Sequence, residues 1–273
     1  MNRNRLWNPK AEAVRLWEAD PCGLPAGEIS ENTPEFFAAV DGERYGRYAP
    51  WLPDAIGFSQ FAGQRVLEVG CGMGSDLAQF WRGGAVALGI DLVPRHLNIA
   101  KRRVVYEGSP VRLARSDAEQ LPFKDSSVDA VYSFGVLHHT PHIEVAIDEI
   151  WRVLKPGGLA IIGLYHRNSV FYWFFTIFLR GILKGVLFRR GYRRLLADIE
   201  SHRHSDALPL VQVYSRDELR CLLRRFPSVD IQTHHLAANH FSHVAPLFRF
   251  LPRSSLERYG CRWGWYVIAR ARK

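Results

Sequence analysis

Three glycines at alternate positions, Gly70, Gly72 and Gly74, follow the apolar run Arg65-Val66-Leu67-Glu68-Val69 and precede a helix-like segment from Ser75. A strand that feeds a glycine turn and then a helix is a ligand cradle. Backbone N–H groups at the helix start face the ligand, and glycine puts no Cβ in its way. The segments beyond it repeat the strand–helix alternation. Strands read at 65–69, 85–90, 111–115, 128–134 and 158–165, with helices at 75–82, 95–106 and 142–154. The strands are short continuous apolar runs, as expected when helices cover both faces of a sheet. The pattern predicts an α/β chain with a doubly wound, mostly parallel sheet, whose ligands sit outside the carboxyl ends of the strands.

Gly84-Ala85-Val86-Ala87-Leu88-Gly89-Ile90-Asp91 reads as a second buried strand ending in a carboxylate. An acid about 20 residues beyond the glycines accepts hydrogen bonds from ribose hydroxyls, so Asp91 points to a nucleoside ligand. The dinucleotide fingerprint G-x-G-x-x-G asks for glycine at position 75, where this chain has Ser75. Three later motifs follow: Ser116-Asp117-Ala118-Glu119-Gln120-Leu121-Pro122-Phe123, then Asp129 to His139, then Glu149 to Gly158. In order and spacing the set resembles the class I S-adenosylmethionine-dependent methyltransferases. It is most similar to their small-molecule branch (methyltransferase type 11), which includes the ubiquinone and menaquinone C-methyltransferases. The resemblance covers residues 60–166.

The resemblance implies a Rossmann-like, seven-stranded sheet with an antiparallel last strand. The strands read from Val229 to Leu236 and from Trp263 to Arg272 would complete it as an antiparallel hairpin, after a helix at 215–226 opened by the Ser215–Glu218 capping box. It also implies S-adenosylmethionine as cofactor. Gly70, Gly72 and Gly74, with Cys71, would form the turn against the methionine part, and Glu68 would anchor that turn and face the ligand's ammonium. Asp91 and Leu92 would hold the ribose. Asp117, Ala118 and Glu119 would border the adenine, and Phe134 would lie beside the transferable methyl. Residues 1–57 would be a helical cap over the active site, with Thr33 and Pro34 starting one of its helices and Tyr45 and Tyr48 as candidate substrate-wall residues. Residues 58–273 would be the methyltransferase domain. A general base is needed where the acceptor must lose a proton. His138 and His139 follow the fourth strand and Tyr165 and His166 the fifth, so the histidines are the catalytic candidates and His138 and Tyr165 also substrate contacts.

Residues 167–200 depart from the repeat. Phe171, Phe174, Phe175, Phe178, Ile182 and Val186 belong to an apolar stripe at helical spacing, with Arg180 and Lys184 opposite and a basic run at Arg189 to Arg194. A span would need about 20 apolar residues. The 170–188 helix is therefore a core-packing helix, a lid, or an interfacial helix whose basic end meets anionic lipid. The net charge of +9 and pI near 9.6 suit a solvated basic surface or an anionic partner.

The cysteines Cys22, Cys71, Cys221 and Cys261 form no C-x-x-C pair, and Met1 to Lys10 leads into no apolar segment. Both suit a cytoplasmic protein, peripheral at the inner face of the membrane if the stripe is interfacial. No metal is expected: His202, His204 and Asp206 read as a solvated loop. Nucleic acid is disfavoured as a partner. Phe134-Gly135-Val136-Leu137 replaces the [Asp/Asn]-Pro-Pro-aromatic motif of amino-methylating nucleic-acid enzymes, and no aromatic platform accompanies the basic clusters. The expected activity is methylation of a small, largely apolar acceptor such as a quinone precursor, a lipid-like molecule or an aromatic natural product. RNA methylation and a non-catalytic cofactor-binding protein remain alternatives.

Overall fold

The computed structural model describes residues 7–25, 29–31, 33–200, 206–236 and 253–273. His202 and His204 lie outside the described residues. The sheet has seven strands: β1 (Arg65–Val69), β2 (Val86–Asp91), β3 (Arg112–Arg115), β4 (Val128–Phe134), β5 (Leu154–Tyr165), β6 (Ser228–His234) and β7 (Tyr266–Arg272). Their order is β3-β2-β1-β4-β5-β7-β6. The first five are parallel, β7 runs antiparallel to β5, and β6 antiparallel to β7. The order reverses between β1 and β4, the place where an open sheet leaves a crevice for a ligand.

Apolar side chains pack on both faces, as the continuous apolar strands require. One layer joins Phe58, Phe80 and Tyr132 to Tyr266, and the other joins Ile147, Ile150 and Leu154 to Leu219 and Phe226. Helices Ser75–Arg82, Pro94–Tyr106 and Ile143–Val153 match the expected ones within a residue or two. The Ser215 box caps helix Arg216–Leu222 as expected, though that helix ends four residues early, and a helix Arg253–Trp263 precedes β7. Strand β5 starts earlier than expected because Leu154 already pairs with Val128.

The 167–200 segment folds as two helices, Phe171–Leu183 and Val186–Glu200. The apolar stripe breaks at Gly185, whose φ of +68° turns the chain, and Gly191 at +77° kinks the second helix. Gly181 serves close approach instead: a Cβ there would stand 3.0 Å from the Leu195 side chain. Arg180, placed on a free basic face by its spacing, bonds back to Asp198 at 3.1 Å across the helix pair.

Helices Pro9–Ala19 and Pro34–Asp41, the latter running on through Gly42–Tyr48, cover the carboxyl edge of β1, β2 and β4. Thr33 caps the second as its sequence predicts, accepting the Phe36 N–H at 3.3 Å.

Candidate active site

The glycine turn is held by its neighbours. The N–H groups of Gly70 and Cys71 donate to the Ile90 carbonyl at 2.8 and 2.9 Å. Asp91 accepts the Gly72 N–H on one carboxylate oxygen and the Val93 N–H on the other, each at 2.8 Å. Gly70 has φ +79° and a Cβ there would strike Val136 at 2.3 Å, whereas Gly72, at φ +53°, faces open space. That opening is where a ligand can lie against bare backbone. Buried Glu68 reaches the same space, and its Oε2 has no hydrogen-bond partner in the fold. Burial, and then the Asp76 charge, push its carboxyl well above the usual range.

Asp76 is fixed by three groups. Arg44 ion-pairs with it, Tyr45 donates to it at 2.7 Å, and Tyr132 donates at 2.8 Å. Burial alone would raise its carboxyl, yet Arg44 and the tyrosine hydroxyls hold it below the usual value. This knot ties the cap to the helix behind the glycine turn. A second tie joins Lys10 to Asp117 and Glu119, each at 2.6 Å.

Above the turn lies one chamber of about 620 Å³. Its near end is lined by Glu68, Gly70, Cys71, Gly72, Asp91, Leu92, Asp117 and Ala118, and Phe134 lines it as well. Its far end is lined by Tyr48, Tyr165, Phe171, Ile199, Glu200 and Trp265. The space therefore runs from the β1 turn to the inserted helices without a partition.

Most of the residues singled out in the sequence meet here, and some stand just behind. Gly74 caps the helix rather than lining the space. Glu119 turns away to Lys10, Thr140 and the His142 N–H. Tyr45 directs its hydroxyl to Asp76, while Tyr48 reaches the chamber and pairs with Tyr266. Of the three histidines only His139 lines it. His139 faces the Leu210 carbonyl through Nδ1 at 2.7 Å, which puts its proton there and leaves the Nε2 lone pair available. His138 is wholly buried with its ring 3.9 Å from that of Tyr165. His166 faces the Gly264 carbonyl through Nδ1 at 3.0 Å, away from the space. Burial keeps all three rings below the ordinary histidine value.

Glu200 was not legible in the sequence. It ends the second inserted helix, is buried, and accepts the Tyr165 hydroxyl at 2.6 Å. Donor atoms of His138, His139 and Glu200 lie within 4.8 Å of one another, a grouping that joins residues far apart in the chain. Arg44, Trp17 and Trp265 also reach the chamber with no motif to announce them.

The near end suits the cofactor that the resemblance implies. The unpartnered Glu68 oxygen suits a cationic donor, the open space over Gly72 admits a chain, and the Asp91 and Asp117 carboxylates line the same space.

Comparison with known proteins agrees. The family described as a methyltransferase domain matches residues 67–162. A demethylmenaquinone methyltransferase from Thermus thermophilus is 30% identical over 198 residues, covering 67% of this chain and 87% of that protein. A fatty-acid O-methyltransferase from Mycolicibacterium smegmatis is 41% identical over 148 residues, covering 53% of each. The chain spans about half the length of several curated relatives it matches. A crystal structure of an S-adenosylmethionine-dependent methyltransferase from Mesorhizobium loti aligns with a TM-score of 0.54 at 17% identity, covering 84% of this chain and 99% of that one, a likeness of fold.

Proposed function

This chain belongs to the S-adenosylmethionine-dependent methyltransferases, and we propose that it transfers the cofactor's methyl group to a small, largely apolar acceptor: a quinone precursor, a lipid-like molecule or an aromatic natural product. The observation that carries this reading is the undivided chamber, with polar strand ends at one end and Phe171, Ile199 and Trp265 at the other. Ligand sites of that make-up, mostly apolar with a few placed polar groups, take small molecules.

Bound at the near end, the cofactor supplies a methyl on a sulfonium, displaced in line with a neutral thioether as leaving group. The protein's share is then alignment and enclosure. Gly72 lets the ligand lie close, Glu68 orients its ammonium, Asp91 holds the ribose, and Asp117 with Ala118 fixes the adenine. Phe134, at the end of β4, would form the wall beside the transferable methyl. Positioning of this kind supplies about 7–11 kcal/mol of a barrier. His139, Tyr165 and Glu200 are the polar groups that line the acceptor side beside Phe171, Ile199 and Trp265.

The inserted helices extend the reading to a membrane surface. Their inner side reaches the chamber through Phe171, Ile199 and Glu200, while Trp173, Phe174, Phe178, Ile182, Leu183 and Phe188 face outward. Lys184, Arg189 and Arg190 are exposed beside them. No helix among the described residues is long and apolar enough to cross a membrane. An exposed aromatic face edged with cations suits an anionic lipid surface, which would present a lipid-like acceptor next to the chamber. A cytoplasmic protein, peripheral at the inner face of the membrane, fits this arrangement.

The test is transfer of radiolabelled methyl from S-adenosylmethionine into a lipid and metabolite extract, with RNA as a parallel substrate. Label in an organic-soluble product is expected. Label in RNA alone would overturn the acceptor class, and no label despite cofactor binding would leave a non-catalytic protein. Flotation with phosphatidylglycerol vesicles tests the surface: the protein should float, and Lys184→Glu with Arg190→Glu should release it. Failure of the wild type to float would end the membrane reading.

A further inference from the structure

The methionine part of the cofactor carries two charges on one carbon, an ammonium and a carboxylate. Glu68 suits the first, and the second needs a cation. Without one it would lie beside Glu68, Asp76 and Asp91, which line that end of the chamber, and an unpaired anion there is costly. Among the described residues three lysine or arginine side chains line the chamber: Lys10, Arg44 and Arg47. Lys10 is bound by Asp117 and Glu119, and Arg47 pairs with Glu43 on a side chain that is 75% exposed. Arg44 is better placed. Its side chain is 21% exposed, and it binds buried Asp76 through Nε and Nη2, while Nη1 bonds no described residue. The guanidinium stands 5.1 Å from the centre of the Phe134 ring. After burial and the Asp76 charge, the Arg44 charge is the next influence on the Glu68 carboxyl, and it acts to lower it. The backbone beneath is a widened turn: the Ala49 N–H bonds back five residues to the Arg44 carbonyl at 2.7 Å, in a π-helical stretch of the kind frequent at functional sites.

We infer that Arg44 binds the carboxylate of the cofactor's methionine part, with Asp76 as the positioning residue that aims the guanidinium. This inference rests on the methyltransferase reading and names the residue that takes the cofactor's negative charge. A guanidinium has five N–H donors in a planar fork, so two bonds to Asp76 leave three for a second carboxylate. The contacts then alternate in sign: Asp76, Arg44, the ligand carboxylate, the ligand ammonium and Glu68. Gripping both charges on one carbon restricts the chain that carries the sulfonium, which serves the alignment that methyl transfer needs. Arg44 lies outside residues 67–162, the part matched to the methyltransferase domain, so this contact belongs to the cap of this chain and not to the glycine turn. The knot of Arg44, Tyr45, Tyr132 and Asp76 thereby gains a role beyond holding the cap: it presents a cation to the ligand.

The experiment is calorimetric titration of the full chain with S-adenosylhomocysteine and with S-adenosyl-3-thiopropylamine, which keeps the ammonium and lacks the carboxylate. Wild type should bind the carboxylate-bearing ligand roughly tenfold or more the tighter. Arg44→Gln should erase that preference: S-adenosylhomocysteine weakens by roughly tenfold or more, and the amine binds as well as before or better. Arg44→Lys, which keeps a charge without the fork, should restore part of the preference. Since Arg44→Gln leaves Asp76 unpaired, the double variant Arg44→Gln with Asp76→Asn is titrated beside it, and it should show the same lost preference with no lone buried charge. The inference is overturned if wild type binds the two ligands equally, a result that needs no variant. It is overturned as well if Arg44→Gln weakens both ligands by the same factor, as loss of a residue that only holds the cap would. Failure of the wild type to bind either ligand would instead strike the methyltransferase reading itself.

Discussion

Asp91 and Glu200 sit at opposite ends of one chamber and are held in opposite ways. Asp91 closes a local circuit: it ends β2, and its carboxylate accepts the Val93 N–H two residues on and the Gly72 N–H across the adjacent turn. Glu200 ends a helix in an insertion and meets Tyr165 of β5, with the helix pair itself anchored through Arg180 and Asp198. The cofactor end is therefore a property of strand ends and tight turns, and the acceptor end is a property of what packs on them. The outer surfaces differ too. Near the glycine turn the apolar groups are covered by the cap, whereas on the insertion Leu183 and Phe188 remain 70% and 76% exposed.

That contrast predicts unequal costs of substitution, and the largest falls on the knot that closes the cofactor end. Asp76→Ala leaves the Arg44 guanidinium without its buried partner and strips two tyrosine hydroxyls of their acceptor. Breaking a buried pair on one side costs about 3–5 kcal/mol. Leu183→Ser on the insertion should change stability by no more than about 0.5 kcal/mol, as surface substitutions do. Urea denaturation of both variants checks the pair. A comparable loss for Leu183→Ser would mean that the outer face is packed, and the contrast would fail.

Next in size is Asp91→Ala. It removes the acceptor proposed for the ribose and the acceptor that shapes the Gly72 turn, each a charge-assisted bond of about 1.5–3 kcal/mol. Affinity for S-adenosylhomocysteine should fall roughly a hundredfold or more, measured by calorimetric titration. An unchanged affinity would remove Asp91 from the site and with it the claim that the near end is fixed by its own strand ends.

The same contrast explains what could be read from the sequence. Glycine spacing, an acid at the end of a strand and an apolar run carry their meaning locally, so the strands, the mostly parallel sheet and the convergence of Gly70, Gly72, Asp91 and Asp117 at its carboxyl edge were legible before any coordinates. The 167–200 segment was legible only as an amphipathic stripe. Its spacing continued smoothly past Gly185, but the +68° φ there turns the chain, and nothing in the period marks the break. Arg180 looked like a surface cation and is bound to Asp198 on the return helix. His138 and His166 looked like His139, and only packing decides which ring meets the chamber. Glu200 has no motif, because its position depends on a helix docking against β5 from thirty-five residues downstream.

The finest test uses a proton. Glu68 holds its proton above the usual glutamate value because it is buried and lies near the Asp76 charge. The proposed ligand ammonium favours the ionised form, so binding must expel that proton. Affinity for S-adenosylhomocysteine should accordingly rise with pH as it climbs towards the raised value of the free protein and level off above it, with a slope of at most about one log unit per pH unit. Stability runs the other way. A group whose folded pKa is raised contributes stability below its unfolded value and loses it as pH climbs through the folded one. Asp76, held low, gives stability above its ordinary value near 3.8 that disappears as pH falls through the depressed one. Ligand binding and folding should therefore show opposite pH slopes in the same interval, both flattened by Glu68→Gln. Calorimetry in buffers of different ionisation enthalpy counts the released proton directly. A wild type that releases none would detach Glu68 from the ligand and leave the near end held by Asp91 and the glycine turn alone.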